Sequence, residues 1–173
     1  MIFLIPARAG SKRLPGKNKR LFCGLPLWMW SALCARRVGC SDAPMLVSTD
    51  DKDILDQLDA MLPWMRDERP ADLCRDDTST QEVVDAYWRW YPHENCIVLL
   101  QPTSPTRSDS LVCKLITHGG QVRSVTNGQP NGQCWVYRRG VTEWVDVETE
   151  QGHDIDTLEQ FNEAEKAMME KFK

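Results

Sequence analysis

Four cations on a short loop punctuated by glycine and proline are the first sign of chemistry in this chain. Arg8, Lys12, Arg13 and Lys17 lie within Pro6-Ala7-Arg8-Ala9-Gly10-Ser11-Lys12-Arg13-Leu14-Pro15-Gly16-Lys17-Asn18, directly after the apolar run Ile2-Phe3-Leu4-Ile5. Glycines let backbone N–H groups approach anionic oxygens, while basic side chains add the charge that amides lack. Arg8, Ser11, Lys12 and Lys17 are therefore candidates for binding a polyphosphate; a solvated basic loop is the plainer reading. Two familiar phosphate loops are excluded by spacing. Five residues separate Gly10 from Gly16 and Asn18 follows Lys17, which breaks the Walker pattern, and no Gly-x-Gly-x-x-Gly follows the strand.

Two further groups could do chemistry. Asp154 and Asp156 flank one residue just before a helix signal, and in an extended segment such i, i+2 side chains point the same way. Two carboxylates can hold a hard cation such as magnesium together with substrate phosphates, but acids at a helix start also serve as caps. Asp50 and Asp51 are assigned mainly to capping. In Gln101-Pro102-Thr103-Ser104-Pro105 two prolines stiffen the backbone, so that Gln101, Thr103 and Ser104 present hydrogen-bonding groups in a fixed arrangement; a merely rigid turn fits the same residues. Arg13, Lys19 and Arg20 read as surface charges.

These groups need strands to deliver them. Apolar runs over 2–5, 45–48 and 96–100 read as buried strands, with shorter strands over 122–126, 133–137 and 144–147. Helices are expected from Pro26 to a stop at Gly39, over 53–58, after a Ser79-Thr80-Gln81-Glu82 capping box, between Ser108 and Gly119-Gly120, and after Thr157 with Gln160 as box partner. Alternating strands and helices imply a three-layer α/β/α fold with a mostly parallel, Rossmann-like sheet, formed as a single domain over 1–173. The loops after Ile5, Ser48 and Leu100 should meet at the carboxyl ends of the strands.

The motifs as a set resemble the cytidylyltransferases that make CMP-sialic acid and CMP-activated relatives. The resemblance rests on Ile5-Pro6-Ala7-Arg8-x-Gly10-Ser11-Lys12 with Pro15, Lys17 and Asn18, then Val47-Ser48-Thr49-Asp50-Asp51, Arg69-Pro70 through Asp76, Leu99-Leu100-Gln101-Pro102-Thr103-Ser104-Pro105, and Asp154-Ile155-Asp156-Thr157, in the family's order along nearly the whole chain. It implies a nucleotidyltransferase fold and transfer of CMP from CTP to an acidic sugar, with release of pyrophosphate. It also implies nucleotide contacts at Ala7, Arg8, Gly10, Ser11, Lys12, Lys17, Asn18, Arg69, Thr78, Ser79 and Thr80, with Arg8 and Lys17 catalytic. Acceptor contacts would come from Gln101, Thr103 and Ser104, and Mg2+ would be held by Asp154 and Asp156.

The chain departs from that family in one place. Only six residues run from Thr126 to Asn131, where family members carry an extended arm that builds the dimer and lines the partner's sugar pocket; Trp135 also replaces the usual Tyr after the Asn-Gly motif. A monomer or a different dimer is expected. A nucleotide binder without turnover, or a cytidylyltransferase for a smaller acceptor such as Kdo, stays in view.

Composition narrows the partners. The net charge is −4, yet residues 1–41 hold eight Lys/Arg and no Asp/Glu, so the positive charge is local, as a small polyanion needs and a nucleic-acid binder does not. No apolar run approaches a bilayer span, and no signal peptide is read, so a cytoplasmic protein without membrane partners is expected. Seven scattered cysteines, an odd number, read as reduced packing residues, and the three histidines are too dispersed for a zinc cluster. The i, i+2 pairs Trp28/Trp30 and Trp88/Trp90 cannot share a helix face.

Overall fold

In a computed structural model that describes residues 1–39, 43–150 and 152–171, the apolar runs become the centre of a seven-stranded sheet. Its strands are β1 (Ile2–Pro6), β4 (Met45–Thr49), β5 (Arg66–Glu68), β6 (Cys96–Leu99), β7 (Gln121–Thr126), β8 (Gln129–Arg138) and β9 (Trp144–Glu148), in the order β5-β4-β1-β6-β8-β7-β9. Pairings β5/β4, β4/β1, β1/β6 and β7/β9 are parallel, while β8 runs antiparallel to β6 and β7. A short ribbon of β2 (Leu21–Phe22) and β3 (Leu25–Pro26) stands apart. The mostly parallel α/β architecture expected from the alternation of elements is the one formed.

Why β1 reads as an unbroken apolar run is visible in its packing. Phe3 and Ile5 face a core built with α1 (Leu27–Val38), α2 (Lys52–Met61) and α4 (Asp109–Thr117), while Ile2 and Leu4 face a second core built with α3 (Thr80–Trp90). Helices on both faces leave no solvated side, so polar alternation would be penalised. A third, smaller core joins Leu14, Phe22, Leu27 and Ile155 to Phe161 and Ala164 of α5 (Leu158–Glu170). It lies under the basic loop.

The caps follow the sequence signals. Asp51 accepts from the Asp53 N–H at the start of α2, Ser108 from Leu111 at α4, and both Ser79 and Thr157 form reciprocal capping boxes with Glu82 and Gln160. Trp28 is buried, whereas Trp30 turns to the third core and donates to the Phe22 carbonyl; Trp90 is exposed. Six of the cysteines are free thiols, but only Cys34, Cys96 and Cys134 are buried. Cys113 is exposed and Cys23 and Cys74 are half-buried, correcting the reading of all as packing residues, and Cys40 lies outside the described residues.

Two differences have local causes. β8 starts at Gln129 rather than 133, because Asn127 and Gly128 both take positive φ (52° and 70°) and form a two-residue turn that keeps Thr126 and Gln129 paired. The polar β5 is three residues long and exists through its pairing to β4, for which its own sequence carries no signal. No helix among the described residues is long and apolar enough to cross a membrane.

Because Ile155 is fully buried in the small third core, Ile155→Ala is expected to cost about 2–5 kcal/mol of stability. Urea unfolding measures it, and a loss below about 2 kcal/mol, the low end for truncating a buried isoleucine to alanine, would mean that this core contributes little.

Candidate active site

The loop leaving β1 is fixed residue by residue. The Ala7 N–H donates to the Ser48 carbonyl (2.8 Å) and the Thr49 hydroxyl donates to the Ala7 carbonyl (2.6 Å), which extends the β1/β4 ladder past the strand end. Asn18 then donates to the Arg8 carbonyl (2.9 Å), and the Asp50 carboxylate accepts from the Ala9 N–H (2.7 Å). Of the two acids considered as caps, only Asp51 caps; Asp50 holds the loop.

The charged groups converge on a cleft of about 480 Å³ at the carboxyl ends of β1, β5 and β6. Lys17, nearly buried, donates from Nζ to the Ile155 carbonyl (2.8 Å) and to Asp156 Oδ1 (2.9 Å), while Arg13 pairs with Asp156 Oδ2. Asp76 pairs with both Arg8 (2.8 Å) and Lys12. Six cations (Arg8, Lys12, Arg13, Lys17, Arg69 and Arg75) thus line the cleft against two carboxylates (Asp76 and Asp156), a surplus of four positive charges. Such a surface attracts a polyanion.

Most of the expected site residues meet there. Arg8, Ser11, Lys12, Lys17, Asn18, Arg69, Thr78, Ser79, Thr80, Gln101, Thr103 and Asp156 all line the cleft. Arg69 is buried and spends Nε and Nη2 on the Ser48 hydroxyl and carbonyl (3.0 and 3.1 Å); burial pulls its pKa down. The Thr103 carbonyl accepts from the Ile155 N–H (2.8 Å), joining the Gln101–Thr103 turn to the segment that carries Asp156.

Others do not line it. Ala7 is buried and Gly10 lies outside the lining; Ser104 is buried, its hydroxyl without a hydrogen-bond partner among the described residues. The expectation that Asp154 and Asp156 point into one space is not met. Asp154 lines a separate cavity with His153 and Glu163, while Gln160 Oε1 accepts from the N–H groups of Asp156 and Thr157 at the start of the helix. No group of three or more His, Cys, Asp or Glu suited to a metal occurs among the described residues.

Arg13, Arg75 and Asp76 line the cleft without having been assigned to it. Arg13 is exposed, as a surface charge is, and its place one residue before Leu14, which is buried in the third core, holds it at the cleft rim. Asp76 sits at the end of the segment beginning Arg69-Pro70, and only the fold brings it opposite Arg8 and Lys12.

The sequence model of the cytidylyltransferase family matches residues 2–129. The CMP-N,N'-diacetyllegionaminic acid synthase of Legionella pneumophila subsp. pneumophila is 38% identical over 133 residues, 73% of this chain and 54% of that protein. The pseudaminic acid cytidylyltransferase of Campylobacter jejuni subsp. jejuni is 33% identical over 106 residues, 57% and 45% respectively. The chain thus spans about half the length of the curated relatives it matches. In fold it is similar to CMP:2-keto-3-deoxy-manno-octonic acid synthetase complexed with CTP, with a TM-score of 0.70, 16% identity and 98% of both chains covered. It is also similar to a Mycobacterium tuberculosis protein solved in complex with manganese, with a TM-score of 0.68, 14% identity and 96% and 98% covered.

Lys12 foremost, then Arg8, hold the Asp76 carboxyl below the ordinary aspartate value of 3.8. A depressed folded pKa means that these pairs stabilise fully above the unfolded value and are lost as pH falls through the lower folded one. Carbon-detected NMR titration should therefore find Asp76 ionising below 3.8, and Lys12→Ala should move its midpoint upward; an unmoved midpoint would show that the pair does not form.

Proposed function

The chain belongs to the cytidylyltransferase family, and from that premise we propose that it transfers CMP from CTP to a hydroxyl of an acidic sugar, a nonulosonic acid, releasing pyrophosphate. The observation that carries the reading is the surplus of cations around the loop after β1, facing Gln101 and Thr103 across one cleft. The two curated relatives act, by name, on legionaminic and pseudaminic acids, which supports that acceptor class.

In this reaction an acceptor oxygen attacks the α-phosphorus in line as the bond to the β-phosphate oxygen breaks. The hydroxyl loses its proton, and pyrophosphate leaves with the bonding pair. Charge grows on the phosphate oxygens, so catalysis consists of holding the reactants in line and placing cations in advance. Lys17 is suited to the phosphate that changes hands, because its ammonium is already fixed at two oxygens and needs little reordering. Arg8, Lys12 and the Ser11 hydroxyl would bind the leaving phosphates, with Asp76 releasing its two partners as the triphosphate arrives. Arg69 and Thr78, Ser79 and Thr80 would take the cytidine end, and Gln101 and Thr103 the acceptor.

A divalent cation, with Mg2+ proposed, fits on Asp156, whose carboxylate faces the cleft; one or two carboxylates plus substrate phosphates are its usual ligands. Bound there, it would neutralise phosphate charge. Asp154, in its own cavity, is not part of that set in the ligand-free chain. The free thiols suit a reducing, cytoplasmic setting. The direct Asn127-Gly128 turn leaves no arm between β7 and β8, so the chain is proposed to be monomeric or to pair through another surface.

Pyrophosphate release should appear with CTP, magnesium and a nonulosonic acid, and calorimetry should find CTP bound more tightly than ATP, GTP or UTP. Equal affinity for all four would remove the cytidylyl reading. Lys17→Ala and Asp156→Ala should each lower turnover by about a hundredfold or more at saturating CTP and magnesium, far beyond what any loss of stability accounts for. Near-normal activity in either variant would overturn that residue's role.

A further inference from the structure

Arg107 has no place in the reading above, yet it is among the most deeply buried cations in the described structure, with 6% of its surface exposed. Among the described residues no carboxylate forms a salt bridge with it, and Asp154 acts on it only through space. Its Nη1 donates to the Ser31 hydroxyl of α1 (2.7 Å), its Nη2 donates to the Gln101 carbonyl, and the Ser31 hydroxyl donates to that same carbonyl (3.2 Å). Guanidinium, hydroxyl and carbonyl close a ring behind the Gln101–Thr103 turn. The Gln101 carbonyl also accepts from the Ser104 N–H (3.3 Å), so the guanidinium, the Ser31 hydroxyl and the turn's own backbone meet at one oxygen.

The other side of Gln101 is equally confined. Gly132, at φ 70°, lies where an added Cβ would stand 3.3 Å from Gln101 Oε1, and Thr103 donates to that Oε1 (3.5 Å). The Gln101 side chain is thus set between Gly132 and Thr103 at the wall of the cleft, with its carbonyl held from behind. Burying a charge without an ionic partner is costly, and an apolar residue of similar volume is often as stable or more so. A stability role therefore does not explain Arg107; the planar fork, matched to two oxygens at once, does.

We propose that Arg107 is the positioning residue of the acceptor side of the cleft: its fork to Ser31 and the Gln101 carbonyl sets the orientation in which Gln101 and Thr103 meet the acceptor. It touches neither substrate. The inference rests on the proposed function for what Gln101 and Thr103 bind, but not for the fork itself.

Arg107→Met removes the fork and leaves the Ser31–Gln101 bond in place. The full chain is expected to fold and to bind CTP with affinity within about threefold of wild type, since the groups proposed for CTP, on the loop after β1 and at Arg69 and Thr78 to Thr80, do not bond to Arg107. Turnover of the acid sugar should fall, or its KM rise, by about ten- to a hundredfold, the scale of a small misplacement of reacting groups. Hydrogen exchange of residues 101–107 should rise at least about tenfold while residues 7–18 keep their protection. Arg107→Lys, which keeps charge without the fork, should recover only part of each.

Unchanged acceptor kinetics and exchange in Arg107→Met would overturn the proposal, as would full recovery by lysine or a uniform loss of CTP affinity and protection across the chain. If the wild type turns over no acid sugar, the proposed function fails, and the exchange pattern alone decides Arg107. If Arg107→Met does not fold, Ser31→Ala cuts the Nη1 arm while Nη2 keeps the Gln101 carbonyl; a smaller change of the same pattern is expected, and unchanged acceptor kinetics and exchange overturn the proposal.

Discussion

Ile155 is the residue on which the site's assembly depends. Its carbonyl accepts from Lys17, its N–H donates to Thr103, and its side chain is buried with Leu14 and Phe161. One residue therefore ties the basic loop, the Gln101–Thr103 turn and α5 together, across 138 residues of sequence from Lys17. A hydrogen bond from a charged donor contributes about 1.5–3 kcal/mol, and the side chain adds its burial. These local energies are modest beside chain entropy. They suffice because the sheet has already brought the strand ends together, and they decide where the ammonium of Lys17 rests.

Two carboxylates offset part of the cleft's positive charge. Asp156 is shared between Lys17 and Arg13, and Asp76 between Arg8 and Lys12. The two sets differ in burial. Lys17 is nearly enclosed, with a carbonyl as a second acceptor, whereas Lys12 and Asp76 lie in water, where ion pairs are weak and screened by salt. The exposed pairs are the ones that can yield to an arriving polyanion, and the enclosed one stays in place.

Much of the architecture was legible in the chain because its signals are local. The run Ile2-Phe3-Leu4-Ile5 reads as a strand covered on both faces, and β1 is covered on both faces. Asp51, Ser79, Ser108 and Thr157 read as caps, and each accepts the expected N–H. A cap is a bond between neighbours in sequence, so residue types two or three apart suffice to announce it. The basic loop was recognisable for the same reason, since its glycines, prolines and cations are contiguous.

What the sequence determined by itself, then, was the alternation of strands and helices, their caps, and a cation-rich loop at the end of the first strand. Tertiary structure alone decided which charges share the cleft. Arg13 became a partner of Asp156 and Asp76 a partner of Arg8 through contacts 143 and 68 residues apart. Asp154 came to line a different cavity from Asp156, and Ser104 went into the protein while Gln101 and Thr103 faced the cleft. Local propensities act over a few residues and are written in composition and spacing. The pairing of distant charges depends on where folded elements cross, which only the packed sheet establishes.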